Sequence, residues 1–332
     1  EHVAQFPLTL YHNGEKTRSR TVSWEPGKHL YQTAFDVTVN TKGNHHFSVE
    51  IAPLRDDAYD RNNTRGFIVE VVEAKNRILY VEGKPRWEFK YLKQALLTEK
   101  SYNLEAYVRA LPGMVLRFTQ AHQSKTGALP EMSEERLKNY RVLILGNVGP
   151  DAFGDRAADA IADFVDQGGA VLFMGGDKTY GTNGWHTRKP TAGMLPAQPL
   201  AATEKSEGRF KVDFTMTAEQ QNVFGETIRR KELPPVMSMW RPVRTGEFSM
   251  VLVETLTGDP LVVTRHYGEG RTAMVLTDSL WRWQLNAAGL NAPSSDTLYT
   301  TFIKQLLNWL APVGKGVQRE RKLQLITDRT EY

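Results

Sequence analysis

The chain has 332 residues, 40% of them hydrophobic, and a formal net charge of +4. This is enough to bury a core for about two domains, and no run approaches the roughly 18 to 20 apolar residues of a membrane-spanning helix. Cysteine is absent, which removes disulfides, thiolate metal sites and a thiol nucleophile together without fixing the compartment.

The chain opens at Glu1 without Met, and Glu1 to Phe6 lacks a basic region followed by an apolar one, so no signal peptide is visible. The expectation is a fragment whose anchor or export signal lies elsewhere. Residues 1–75 read as β. Gln5 to Tyr11 alternates, Asn13-Gly14 supplies a hairpin turn, and Arg18 to Trp24 alternates again. Tyr31 to Val39, His46 to Ile51 and Gly66 to Val72 are further strands. Short strands with regular turns and no helical stretch indicate a small β-sandwich, short of a strand at the fragment's edge. The loop Arg55 to Thr64 is rich in oxygen ligands, but Ala58 breaks the EF-hand spacing and a turn is expected instead. Asn62-Asn63-Thr64 fits the glycosylation sequon. Adjacent His45 and His46 should point to opposite faces of a strand and share no metal.

From residue 76 the period changes. Arg77 to Val81 is a compact apolar run suited to a strand buried on both faces. Pro85 is placed as the first residue of a helix, with Trp87, Tyr91 and Ala95 and also Leu92 and Leu96 at helical spacing up to Lys100. Asn103 to Ala110 is the next strand. Met114 to Asn139 reads as an irregular connection with a short helix from Ser133, which is placed to cap it. Arg141 to Leu145 and Ala170 to Met174 are strands around a helix from Asp155 to Gln167. The alternation predicts a parallel sheet covered on both faces. Thr179 to Pro199 reads as a long loop. Phe210 to Thr215, Met250 to Glu254, Pro260 to His266 and Arg271 to Thr277 are strands, and Leu298 to Leu310 is a closing helix. The segment 314–332 reads as a tail or the start of a further β domain, and its Lys315 to Lys322 is a basic cluster. The other Lys and Arg residues are scattered among acids, so no nucleic-acid footprint is expected.

Three stretches in order carry a resemblance. They are Ile78 to Leu92, Gly168-Gly169 through Gly175-Gly176, and Gly270 to Trp283. Together they resemble the class I glutamine amidotransferase-like domain, in the version found in large bacterial membrane-anchored proteins with von Willebrand factor A and immunoglobulin-like domains. The resemblance covers 76–313 and implies a flavodoxin-like fold. It also implies that 1–75 is an immunoglobulin-like module. Members of that family that act on glutamine carry a Cys on the elbow and a His after a later strand. Here Gly175 or Gly176 stands at the elbow and Asp278-Ser279 at the later turn.

Glutamine hydrolysis needs a thiolate and a base in hydrogen-bond reach, so that activity is not expected. The sharper chemical alternative is a hydrolase or small-ligand sensor at the carboxyl edge of the sheet. Its residues would be Glu82, Asp177, His186 and Asp278, with Arg86, Trp87, Trp185, Trp281 and Arg282 lining a pocket. The competing reading is that the two aspartates bind loop backbone and that Trp87 and one of Trp281 or Trp283 are core. Ser279 lacks the surroundings of a nucleophile elbow. Gly146 to Gly149 before a helix is a candidate anion loop. The expectation is a non-catalytic binding or scaffolding region with no cofactor and no metal. Its partners would be proteins or other domains of the same chain. It would lie in the periplasm or cell envelope, held to the membrane only by segments outside this one.

Overall fold

The computed structural model describes residues 5–23, 33–35, 37, 39, 41, 43–52, 63–71, 76–225, 228, 232–285 and 297–311. The described residues divide into two compact units, one within 1–74 and one within 75–313.

In the first unit, β1 (Gln5–His12), β2 (Glu15–Ser23), β3 (Gly43–Ile51) and β4 (Thr64–Val71) form one antiparallel sheet in the order β2-β1-β3-β4. Asn13 and Gly14 both take positive φ (51° and 85°), as a two-residue turn between twisted strands requires. Leu8, Leu10, Phe47 and Val49 form the core, and the alternate residues Phe35, Val37 and Val39 pack against it. His45 is buried while His46 is exposed. The His45 ring meets His12, with ring nitrogens 2.8 Å apart, and the Thr41 carbonyl at 2.8 Å. The expected immunoglobulin-like sandwich is thus seen among the described residues only as a four-stranded antiparallel sheet. The oxygen-rich loop, apart from Asn63 and Thr64, and the 314–332 tail lie outside the described residues, as do residues 31, 32, 36 and 38 of the strand predicted at 31–39; the described residues 33–35 there are not in a strand.

The second unit holds a ten-stranded mixed sheet. Its five central strands are β5 (Asn76–Glu82), β6 (Tyr102–Leu111), β9 (Val142–Leu145), β10 (Ala170–Met174) and β16 (Gly270–Val275), each parallel to its neighbour. Their spatial order is β6-β5-β9-β10-β16. Numbered along the chain this is 2-1-3-4-5, the flavodoxin-type doubly wound order. Antiparallel strands extend both edges. β7 (Met114–Phe118) and β8 (Gln123–Thr126) lie beyond β6; β15 (Pro260–Tyr267), β14 (Ser249–Thr255) and β12 (Val212–Phe214) lie beyond β16.

Period-two alternation sorts the central strands into two cores. Ile78, Tyr80, Ile144 and Leu172 face α1 (Trp87–Thr98) and the C-terminal helix, which supply Leu92, Leu96, Phe302 and Leu306. Leu79, Val81, Leu143 and Phe173 face α3 (Ala157–Asp166), which supplies Ile161 and Val165. Burial on both faces is why these strands read as unbroken apolar runs. Gly168 ends α3 at φ 100°, a value that an L side chain rarely tolerates.

Several expectations are corrected. The connection 114–139 contains β7 and β8, and Ser133 precedes α2 (Glu134–Leu137) without a side-chain cap bond. The first helix starts at Trp87, two residues after Pro85. The stretch 179–199 is a chain of short elements rather than a long loop. It holds the end of α4 (Asp177–Tyr180), a 3-10 turn at Trp185–Thr187, α5 (Lys189–Met194) and the start of β11 (Ala197–Phe210). β11 pairs with β13 (Val236–Thr245) as a two-stranded antiparallel ribbon. Its polar run gives no apolar alternation to read. A 3-10 turn at Pro150–Ala152, α6 (Met216–Gln220), α7 (Arg282–Leu285) and α8 (Leu298–Leu310) complete the described elements.

Leu306 of α8 is fully buried. Leu306→Ala is expected to lower unfolding free energy by about 2–5 kcal/mol, read from urea denaturation of the two proteins.

Candidate functional site

The parallel strands deliver their carboxyl ends to one edge. Glu82 ends β5, Gly146 follows β9, Gly175 follows β10, and Thr277 to Ser279 follow β16. Glu82 is fully buried there. Its Oε1 accepts from the backbone N–H of Gly83 (3.1 Å) and of Asn147 (2.7 Å). Its Oε2 accepts from Tyr80 Oη (3.1 Å) and Arg86 Nε (2.9 Å). The anion held by the Gly146–Gly149 loop is therefore the protein's own carboxylate. A Cβ on Gly146 would stand 2.2 Å from Glu82 Oε2, so any larger residue there would displace the bonded carboxylate.

Arg86 carries the network across the sheet edge. Its Nη1 donates to the Gly175 carbonyl, and its Nη2 is buried without a partner among the described residues. Burial alone would lower its pKa; the charge of Glu82, with Tyr80 and Glu88, outweighs that and raises it. Burial and then the Glu82 charge hold the Tyr80 phenol well above its usual range.

The elbow is closed. A Cβ on Gly175 would meet the Thr277 carbonyl oxygen at 2.1 Å and the Trp240 ring at 2.8 Å, and one on Gly176 would meet Asn147 Oδ1 at 2.6 Å. Tyr180 is buried beside it and donates to the carbonyls of Phe173 (2.8 Å) and Val275 (3.2 Å). Tyr180 and Trp240 meet edge to face at 5.9 Å.

The other predicted residues fall into separate groups. Asp278 Oδ1 accepts from Ser238 Oγ at 2.5 Å, and its Oδ2 lies 3.1 Å from Lys205 Nζ. Buried Ser279 accepts from the Met237 N–H at 2.9 Å and lies 2.9 Å from Thr277 Oγ1, so its oxygen is engaged in holding β13 to the sheet. Exposed Asp177 lies 3.8 Å from Lys84 Nζ. Trp185 is fully buried, with its indole N–H on the Val148 carbonyl at 2.8 Å; it is core rather than pocket wall. His186 Nδ1 is buried without a partner among the described residues, and burial lowers its pKa. Among the described residues no three His, Asp or Glu side chains form a group that could hold a metal.

Trp87, by contrast, is 53% exposed rather than core. It stacks with Trp281 (5.7 Å) and Tyr91 (6.1 Å), under Lys90 at 4.7 Å, while Arg282 lies 4.8 Å from the Trp281 ring. Trp283 is the core residue of that turn. Sequence reasoning missed Glu88, which lies on the buried stripe of α1 with Leu92 and Ala95. A carboxylate in such a stripe was the available signal. Glu88 accepts from Tyr299 Oη (2.9 Å) and the Trp281 N–H (3.3 Å). Burial pushes its carboxyl up to about 7, against the opposing pull of Arg86 and these two donors, with Asp278 adding to the rise.

Fold and site define a doubly wound α/β domain whose elbow has glycine where a nucleophile would stand. No family model matches the chain, and no curated protein matches it. Among solved structures it is similar to a cytoplasmic protein of Salmonella typhimurium LT2, at 19% identity over 71% of this chain and 99% of that one, with a TM-score of 0.49. It is also similar to ThuA-like proteins of Bacteroides uniformis ATCC 8492 and Parabacteroides merdae ATCC 43184. The first is 13% identical over 74% of this chain and 96% of that one, with a TM-score of 0.48. The second is 12% identical over 71% and 90%, with a TM-score of 0.45.

Gly175→Ala is expected to destabilise the domain by about 1–3 kcal/mol or more, since backbone rather than a flexible side chain blocks the new methyl; thermal melting checks this. Glu88 carries a pH signature. Its folded pKa of about 7 lies above the ordinary 4.5. Its contribution is therefore full below pH 4.5 and is lost as pH rises to about 7, on the order of 3 kcal/mol in all. In Glu88→Gln that component of the pH dependence disappears, as urea denaturation between pH 4.5 and 8 will show.

Proposed function

We propose that this chain is a non-catalytic binding or scaffolding section of a larger bacterial membrane-anchored protein. In this reading its α/β unit is an amidotransferase-like domain that has given up the nucleophile, following an immunoglobulin-like module. One observation carries it: the elbow is packed by Trp240, Tyr180 and the Thr277 carbonyl, and its Gly175 carbonyl is taken by Arg86. The position serves as a structural joint. The finer family assignment rests on the order of the three motifs. Placement at the cell envelope rests on the same resemblance.

The hydrolase alternative draws little support from the side chains it needs. Glu82 is consumed by Arg86, Tyr80 and two backbone N–H groups, Asp278 by Lys205 and Ser238, and Asp177 faces Lys84. The binding reading has a surface available in the Trp87, Tyr91 and Trp281 cluster beside Lys90 and Arg282. Exposed aromatic and cationic side chains of this kind are frequent anchors in protein contacts.

The purified chain is expected to release no ammonia from glutamine above a buffer blank in a coupled assay, and Gly175→Cys is expected not to install the activity. Release by either protein would overturn the reading. Accessibility of Trp87 tests the contact face. Its acrylamide quenching, taken as the difference between the native chain and Trp87→Phe, should fall in the full-length protein. Equal quenching would remove this face as the contact.

A further inference from the structure

A second feature of the carboxyl edge uses none of the elbow residues. A cleft of about 610 Å³ opens beside the ends of β5 and β6. Its walls are the β5–α1 turn at Gly83 to Pro85, the β6–β7 hairpin at Arg109 to Gly113, and the Gly127–Leu129 segment after β8. Ala152, after β9, completes it.

Its place in the topology is informative. The connection from β5 to β6 runs through α1 on one face, and that from β9 to β10 runs through α3 on the other. Winding therefore reverses between β5 and β9, the kind of place where doubly wound sheets accept ligands, and the cleft borders that reversal on its β5 side, with Ala152 its one lining residue after β9. The volume lies within the range of small-molecule sites.

The charge is one-sided. Lys84 and Arg109 are the ionisable residues of the lining, and no carboxylate belongs to it. Arg109 is exposed, and its side chain has no ion-pair or hydrogen-bond partner among the described residues. Among the described residues Lys84 pairs only with Asp177, at 3.8 Å, with both side chains more than half exposed. Such a pair is weak enough for Lys84 to be redirected. Leu111, Val115 and Leu129 supply apolar surface in the same lining.

We infer that this cleft binds a small organic anion, a carboxylate or phosphate ester with a compact apolar body. Arg109 and Lys84 take the charged group, and the Leu111, Val115 and Leu129 surface takes the apolar part. The site is independent of the proposed loss of catalysis, because none of its residues belongs to the elbow.

Calorimetric titration of the native chain with phenyl phosphate and with benzoate, at low ionic strength, tests this. Saturable binding of at least one is expected, and the stronger of the two identifies the charged group. Arg109→Gln should weaken it about tenfold or more, as expected for loss of a hydrogen bond to a charged group. Lys84→Gln should weaken it less, and raising the salt should weaken it further. Both substitutions are at exposed positions, and circular dichroism verifies that the variants are folded. Absence of saturable binding by both probes would overturn the assignment. So would unchanged affinity in the folded double variant, or equal binding of uncharged benzyl alcohol.

Discussion

The second unit turns on a carboxylate that has been taken out of water. An ionised carboxyl group buried at the end of a central strand is costly unless its lone pairs are met. Glu82 meets that condition with two backbone N–H groups, a phenol and a guanidinium. Each donor comes from a different position along the edge, so the price of burying one charge is also what holds the edge together. The Asn147 N–H ties the turn after β9 to β5. Arg86 reaches from the start of α1 to the carbonyl after β10. Removing one partner of such a group strands the other, so the network is held as a unit.

This bracing explains the glycines at the edge. Gly146 leaves room for the Glu82 carboxylate, Gly176 for the Asn147 amide, and Gly175 for the Thr277 carbonyl. In related architectures a strand-to-helix turn of this kind projects a reactive side chain. Here the close approach of four chain segments leaves no volume for one. The same residues that resemble an active-site framework thus carry stiffness.

Around this joint the flanking elements divide the edge into covered and open parts. The β11–β13 ribbon brings Trp240 onto the elbow and Lys205 onto Asp278. α8 brings Tyr299 onto Glu88, a second buried carboxyl group, but one held up by burial near neutrality. Beyond β5 the β6–β7 hairpin stands clear of the edge and leaves the cation-lined cleft. Two carboxyl groups six residues apart in sequence thus have different surroundings. Glu82 has charged and backbone donors directly on it, whereas Glu88 has a phenol and one peptide N–H.

The local pattern of the chain determined the central strands, the three long helices and the Asn13-Gly14 hairpin, because apolar runs, helical spacing and turn residues act over a few neighbours. It also determined that no thiol could serve here, since none is encoded. Tertiary structure alone decided the rest. The β11–β13 ribbon, β7 and β8 have polar or short sequences whose partners lie far along the chain, so no local period announces them. Trp87 reads as a core residue by spacing yet is exposed, since α1 turns that side to solvent; Trp185 reads as a pocket residue yet is core. The pairing of Glu82 with Arg86 spans four positions, but the bonds Glu82 makes to Asn147 and Arg86 makes to Gly175 join residues 65 and 89 positions apart. Contacts of that separation exist only once the sheet has brought its carboxyl ends together.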